Sequence, residues 1–382
     1  MESTQQTSDN ENIPKSPKEV LANLEAYYQN KEIIGSIERN VNFKTEETFF
    51  ESLKTFLNDK EDAHIIDMLF NSSIDGLAEE MDLYKRAEQS IIKTVDRPVF
   101  LINNDQINIG ITTSWEKHIE ENLETISKVI PAIGRIEITG DSRRKWAGTG
   151  WLLKDTDIIV TNRHVARHFA KKKSEGVFEF KKNYMRRPVG VKIDFKEEQD
   201  AGEALEFDIK KVLHIAKNSE LDIALLRVQK RNYKGQKLPE GLEISYDLSI
   251  LKEDIEDESE EEKENIKKNI YVVGYPACSD NEELRTTFFN GVSEVKQFAP
   301  GALFGTCISK YIYYHDCTTW GGNSGSPLLD FTTGKVLGIH YAGTSEERTE
   351  YRKNYAVSVL FLIELLEELG EKYNYRIHPD KK

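Results

Sequence analysis

Residues 319–328 read Thr-Trp-Gly-Gly-Asn-Ser-Gly-Ser-Pro-Leu, and no other stretch constrains the chain as tightly. Ser324 is flanked by Gly321, Gly322 and Gly325, between Trp320 and the apolar pair Leu328-Leu329. Lacking a Cβ, these glycines let the backbone bend sharply and turn N–H groups toward one point. A serine hydroxyl is a poor nucleophile at neutral pH and needs a neighbouring base. It also needs donors aimed where a carbonyl oxygen becomes an oxyanion. Taken alone, the stretch also reads as a Gly/Ser/Asn turn without chemistry.

Two other stretches narrow the choice: Ile159-Val160-Thr161-Asn162-Arg163-His164-Val165-Ala166, and Leu221-Asp222-Ile223-Ala224-Leu225-Leu226. With Gly148-Thr149-Gly150-Trp151-Leu152-Leu153 they make four blocks in the order His, Asp, Ser. In these blocks the sequence resembles the trypsin-like (chymotrypsin-fold) serine proteases. An α/β-hydrolase would run Ser, Asp, His and would carry glycine two residues after the nucleophile; Ser326 stands there.

The resemblance covers about residues 130–370 and implies an all-β fold of two six-stranded barrels. It implies a triad in which Ser324 attacks the scissile carbonyl, His164 takes and returns the proton, and Asp222 holds the imidazole. It also implies an oxyanion hole from the N–H groups of Gly322 and Ser324, a protein or peptide substrate, and no metal or other cofactor. Each residue has a plainer reading: His164 as a core histidine, Asp222 as a strand cap. His214 and His315 lack the flanking pattern and read as structural, and Cys317 reads as a small buried apolar residue.

Asn323 precedes the nucleophile where many trypsin relatives carry Asp to receive a freed N-terminus, so activation by that route is not expected. The pattern is similar to the bacterial Gly-Asn-Ser-Gly-Ser-Pro proteases, which include the glutamyl endopeptidases. Thr318 stands where trypsin has its acidic pocket base. Thr319 and His340 resemble the residues that glutamyl endopeptidases use to hold an acidic P1 side chain; a hydroxyl and a histidine can both donate to a carboxylate. The other reading of His340 is a residue that packs the pocket wall.

With 382 residues, the chain exceeds the roughly 220–250 that a two-barrel protease needs. Residues 1–16 read as a disordered tail. Residues 17–112 read as a helical module followed by a short hairpin at 97–109 around Asn103-Asn104-Asp105. The protease domain is expected over 113–372. It opens with a helix at 115–129 that Pro131 stops. Barrel one follows at about 130–230, an acidic insertion at 252–268, barrel two at about 269–359, a C-terminal helix at 360–370 ending at Gly370, and a tail at 373–382. Strands expected in barrel two include 291–296. The basic clusters at 171–173 and 181–187 read as solvated loops.

The net charge of −14 argues against a nucleic-acid partner, because phosphate binding needs clustered Lys and Arg. No run reaches the ~18 apolar residues of a membrane span, and no secretory signal or membrane partner is expected. Three cysteines without CxxC spacing favour a reducing cytoplasm. The helical module is expected either to receive a regulatory protein or to brace the barrel. Against the serine endopeptidase stands a second class: a catalytically silent or autoinhibited protease-like binding scaffold.

Overall fold

The computed structural model divides the chain into two compact units, Met1–Lys85 and Arg86–Lys382. It describes residues 97–109, 113–140, 144–174, 176–200, 202–217, 221–246, 268–277, 291–307, 311–343 and 354–373, all in the second unit. The expected helices of the module at 17–95, the tail at 1–16, the acidic insertion up to 267 and residues 374–382 lie outside the described residues. Among the described residues no helix is long and apolar enough to cross a membrane.

Sixteen strands are described. Barrel one is closed and antiparallel. It uses β3 (Ile133–Thr139), β4 (Trp146–Leu152), β5 (Ile158–Thr161), β8 (Gly190–Asp194), β9 (Glu206–Ile215) and β10 (Ala224–Val228), in the order β10-β5-β4-β3-β8-β9. Barrel two uses β11 (Lys268–Gly274), β12 (Gln297–Cys307), β13 (Ile312–His315), β14 (Pro327–Asp330), β15 (Val336–Gly343) and β16 (Asn354–Ser358). Its order is β11-β14-β15-β16-β13-β12, and pairing of β11 with β12 closes it. The expected double barrel is therefore present.

The continuous apolar runs of the sequence follow from burial on both strand faces, since successive side chains point to opposite sides. In β5, Ile159 faces the interior of barrel one, while Ile158 and Val160 face the core shared between the barrels. In β11, Ile270 and Val272 fill barrel two, while Tyr271 and Val273 face that shared core. Helix α1 (Glu116–Val129) adds Ile119 and Ile126 to the shared core, and helix α3 (Val359–Tyr373) adds Leu362 and Leu366. Burying each such side chain stabilises by about 1.5–3 kcal/mol.

The hairpin expected at 97–109 forms as β1 (Phe100–Asn103) and β2 (Gln106–Asn108). Asn104 and Asp105 take positive φ of 51° and 59°, the conformation that two-residue hairpin turns require and that Asn and Asp tolerate. However, the hairpin does not group with the upstream module. β1 pairs with β12, with Phe100 opposite Phe298, so it extends barrel two.

A buried ionic joint ties this hairpin to both barrels. Lys296 is fully buried; its Nζ donates to Phe195 O at 2.7 Å, Ile130 O at 3.2 Å and Glu198 Oε1 at 3.1 Å. The hairpin's Asp105 donates its N–H to the other Glu198 oxygen at 3.1 Å and accepts from Lys196 at 2.5 Å.

Three expectations about elements are corrected. Residues 291–296 are not a strand: the strand starts at Gln297 and runs through Pro300, Gly301 and Gly305, residues that disguise it in the sequence because they weaken strand pairing. The 171–173 lysines are solvated but belong to β6 (Ala170–Ser174), which forms a separate hairpin with β7 (Val177–Phe180). Helix α3 continues through Gly370 to Tyr373, since one glycine in a helix costs only about 1 kcal/mol.

Candidate active site

The His and Asp blocks meet because their strands are neighbours. β5 and β10 are antiparallel, with Thr161 opposite Ala224. His164 follows the end of β5 and Asp222 precedes the start of β10, so the register brings both to one rim of barrel one. Helix α2 (Arg163–Arg167) is too short to hold itself; buried Val165 and Ala166 fix it in the barrel-one core. Asn162 Nδ2 donates to Asp222 O at 2.8 Å and ties the two turns together.

The Asp222 carboxylate then holds His164 twice. Oδ2 lies 2.5 Å from the ring Nδ1, and Oδ1 accepts the His164 backbone N–H at 3.0 Å. Burial pushes the carboxyl up, but the facing His164, followed by Arg163 at 3.9 Å, pulls further the other way. The net result lies below the usual carboxylate value, so Asp222 is ionised at neutral pH.

Ser324 sits in the turn before β14 and is almost fully buried. Gly322 and Gly325 have φ of +93° and +91°, which only glycine adopts without strain. Space also excludes a side chain: a Cβ on Gly322 would lie 2.4 Å from Tyr275 O, and one on Gly325 would lie 2.1 Å from Thr149 O. Asn323 N donates to Trp320 O at 3.0 Å, and Asn323 O accepts from Ser326 N at 2.9 Å. Gly321 O accepts from Ala277 N at 2.6 Å.

Thr149 of β4 holds this turn from the opposite barrel. Its N–H donates to Ser324 O at 2.9 Å, and its hydroxyl donates to Gly322 O at 2.9 Å. The same hydroxyl accepts from Tyr275 N at 3.2 Å, and Thr149 O accepts from the Thr161 hydroxyl at 2.7 Å. Sequence reasoning uses Thr149 only as part of a landmark block; these partners lie far along the chain and leave no local signal.

β15 clips the other side of the turn. His340 N donates to Ser326 O and Gly325 N donates to His340 O, both at 2.9 Å. His340 is fully buried, and burial, with a smaller contribution from the charge of His164, lowers its pKa to about 3. It is therefore neutral at neutral pH, and the attraction that a charged histidine would add is missing. Thr319 Oγ1 is buried and has no hydrogen-bond partner among the described residues.

Thr318 is buried beside the chain that precedes β1. Its hydroxyl donates to Arg97 O at 2.7 Å, so it anchors the segment that leads into β1. Arg97 in turn reaches Asp316 Oδ2 at 2.6 Å. His214 lies on β9 opposite Leu225. His315, expected to be merely structural, instead lies against His340, with Nε2 and Nδ1 3.1 Å apart. Cys317 is fully buried and burial pushes its thiol pKa well up, in keeping with a small apolar role.

One acidic group has the shape of a cation site: Glu137, Asp194 and Glu197 present oxygens within 4.8 Å of one another. Arg135 already supplies positive charge there, 2.6 Å from Glu137 and 3.4 Å from Glu197.

Two antiparallel six-stranded barrels, with a His–Asp pair on the rim of one and a glycine-flanked serine on the other, define a chymotrypsin-like serine peptidase. The family described as the trypsin-like peptidase domain matches residues 148–339, just over half of the chain, and the chain belongs to it. Similar solved structures include the HtrA-type protease AlgW with a decapeptide: 14% identity, 65% of this chain and 67% of that chain covered, TM-score 0.40. Another is the serine endoprotease from Yersinia pestis: 16% identity, 68% and 67% covered, TM-score 0.40. No curated protein matches the chain.

Proposed function

We propose that the chain is a serine endopeptidase acting through His164, Asp222 and Ser324, with Gly322 and Ser324 N–H groups as the oxyanion hole. The two hydrogen bonds that Asp222 accepts from His164 carry this reading. They leave Nδ1 protonated and Nε2 as the basic nitrogen that a serine nucleophile needs. The backbone of the Ser324 turn supports the oxyanion hole. In a trans peptide the carbonyl and the following N–H point opposite ways. Gly321 O is turned to Ala277 and Asn323 O to Ser326, so the N–H groups of Gly322 and Ser324 are turned away from both. Neither has an acceptor among the described residues.

In the proposed cycle Ser324 Oγ bonds to the scissile carbonyl carbon while His164 Nε2 takes its proton. The carbonyl oxygen gains the negative charge and is held by the two N–H groups. Collapse expels the amine, which receives the proton from His164, and water releases the acyl group by the same steps.

For the substrate, the site favours a P1 side chain that brings an oxygen acceptor, as in the glutamyl endopeptidases. The partnerless Thr319 hydroxyl supports this, since a buried polar group without a partner is costly until one arrives. Thr318 falls out of the pocket set because its hydroxyl is committed to Arg97. We also propose a cytoplasmic location and regulation of the site by the upstream residues. Truncation to test regulation should stop before Arg97, because the hairpin is part of barrel two.

A fluorophosphonate probe tests the reading. Labelling of the wild type but not of Ser324→Ala is expected. Absence of labelling in the wild type overturns it in favour of a silent or autoinhibited scaffold.

A further inference from the structure

His315 on β13 and His340 on β15 are both fully buried, with ring centroids 5.2 Å apart and planes at 78°. The 3.1 Å contact between His315 Nε2 and His340 Nδ1 holds one proton. Burial disfavours the charged form of both rings, so each carries a single proton and only two arrangements exist.

In the first, His340 carries its proton on Nδ1 and donates to His315. His315 must then carry its own proton on Nδ1, which is buried without a partner among the described residues. In the second, His315 carries its proton on Nε2 and donates to His340. The orphan at His315 Nδ1 is then a lone pair, and His340 carries its proton on Nε2. Orphaned buried N–H groups are rarer than orphaned acceptors, so the second arrangement is the stable one.

Nε2 at the far edge of His340 is not among the sealed, partnerless polar atoms of the described residues, whereas His315 Nδ1 and Thr319 Oγ1 are. The His340 backbone bonds to Gly325 and Ser326, both at 2.9 Å, which places the residue beside the nucleophile turn.

We propose that His315 is a positioning residue: its Nε2–H holds the His340 ring by Nδ1 so that the His340 Nε2–H is offered to an oxygen of the P1 side chain. The substrate half of this statement rests on the acceptor-side-chain reading above. The donor is neutral, so recognition is by hydrogen bonding. Glutamate is then favoured over leucine by far more than over glutamine, which offers an oxygen in the same place.

The test uses the full chain as wild type, His315→Leu and His315→Gln, with matched peptides carrying Glu, Gln or Leu at P1. Nitrogen-15 NMR of the histidine rings reports the His340 tautomer. The wild type is expected to show His340 protonated at Nε2 and to prefer Glu over Leu. His315→Leu takes away the donor that anchors the His340 ring through Nδ1, and the loosened ring should lower the Glu/Leu ratio of kcat/KM by about 10- to 100-fold, the value of one hydrogen bond to a charged acceptor. Cleavage after Leu should stay within about threefold, since the bond that is lost serves only the acceptor. His315→Gln, whose amide can donate where Nε2 did, should restore the ratio. Protonation of wild-type His340 at Nδ1, or an unchanged ratio in His315→Leu, overturns the positioning role. A wild type that shows the Nε2–H tautomer but treats the three peptides alike overturns the substrate reading and supports the tautomer lock alone.

Discussion

Thr149→Val is the sharpest perturbation of the proposed oxyanion hole, because it alters no residue of the nucleophile turn itself. Valine matches threonine in shape and keeps the N–H that donates to Ser324 O. It loses only the hydroxyl, and with it the bonds to Gly322 O at 2.9 Å and Tyr275 N at 3.2 Å. The two orphans are unequal. Tyr275 is fully buried and its N–H has nowhere else to go; Gly322 is half-buried, where water can take over. An orphaned buried polar group costs about 1–3 kcal/mol, so a total of about 1–3 kcal/mol is expected, mostly from Tyr275. Catalysis should suffer through the freed Gly322 carbonyl, because it anchors the segment that lies between the two N–H donors. Removing an oxyanion donor outright costs about 10²–10³ in kcat; a donor that is present but loose should cost about 10- to 100-fold, with KM within about threefold. Steady-state kinetics on one peptide, together with the rate of fluorophosphonate labelling, reads this. Thr149→Ser, which keeps the hydroxyl, should behave as wild type in kcat. A Thr149→Val enzyme that loses stability but keeps kcat within about twofold refutes the hydroxyl as a catalytic tether.

Lys296→Met takes from buried Glu198 the nearer of its two cations and leaves Lys196 at 3.4 Å, and breaking a buried pair costs up to about 3–5 kcal/mol. Urea unfolding followed by tryptophan fluorescence reports it in the full chain, because all four tryptophans (Trp115, Trp146, Trp151 and Trp320) lie in the second unit. Adding Glu198→Gln should recover about 2 kcal/mol or more, and a double variant no better than the single would refute the pairing. Stability should also fall in mild acid. The folded value of His340, about 3, lies below its unfolded value of about 6.5, so the unfolded chain binds the proton first. Its contribution is complete above about pH 6.5 and is lost toward pH 3 at about 1.4 kcal/mol per unit, or about 2 kcal/mol by pH 5. His340→Gln cannot titrate and should flatten the slope between pH 5 and 7; an unchanged slope would show that the ring is not held neutral.

The parts of the site that the sequence made legible are those that lie next to each other along the chain or along a strand pair. Ile158–Thr161 and Ala224–Val228 announce themselves as strands by composition, and their register alone brings His164 to Asp222. Gly322 and Gly325 announce a turn because their φ values permit little else. What the sequence hid is made of contacts between distant segments. Thr149 reaches Gly322 across 173 residues, and Thr318 reaches Arg97 across 221. Neither threonine differs in its neighbours from one that merely packs. β12 was hidden for a different reason: Pro300 and Gly301 are poor strand residues, yet pairing with β11 and β13 outweighs that preference. A Cβ at Gly301 would meet Asp316 Oδ1 and Cys317 at 2.7 Å, so the glycine that obscures the strand is required by the segment leading to Ser324.

The same division explains why the specificity residues were harder to read than the His–Asp pair. His164 and Asp222 are held by one barrel, through partners that strand register supplies. The proposed pocket draws on β13, β15 and the segment 316–319, so each of its residues is defined by what faces it. Asp316 illustrates the dependence: one carboxylate oxygen accepts from Ala302 N at 2.7 Å and the other from Arg97 at 2.6 Å. His315 and His340 are 25 residues apart, and only the pairing of β13 with β16 and of β16 with β15 brings them ring to ring. A buried histidine judged alone is a core residue. Two judged together share a proton, and that proton decides which edge of His340 can donate.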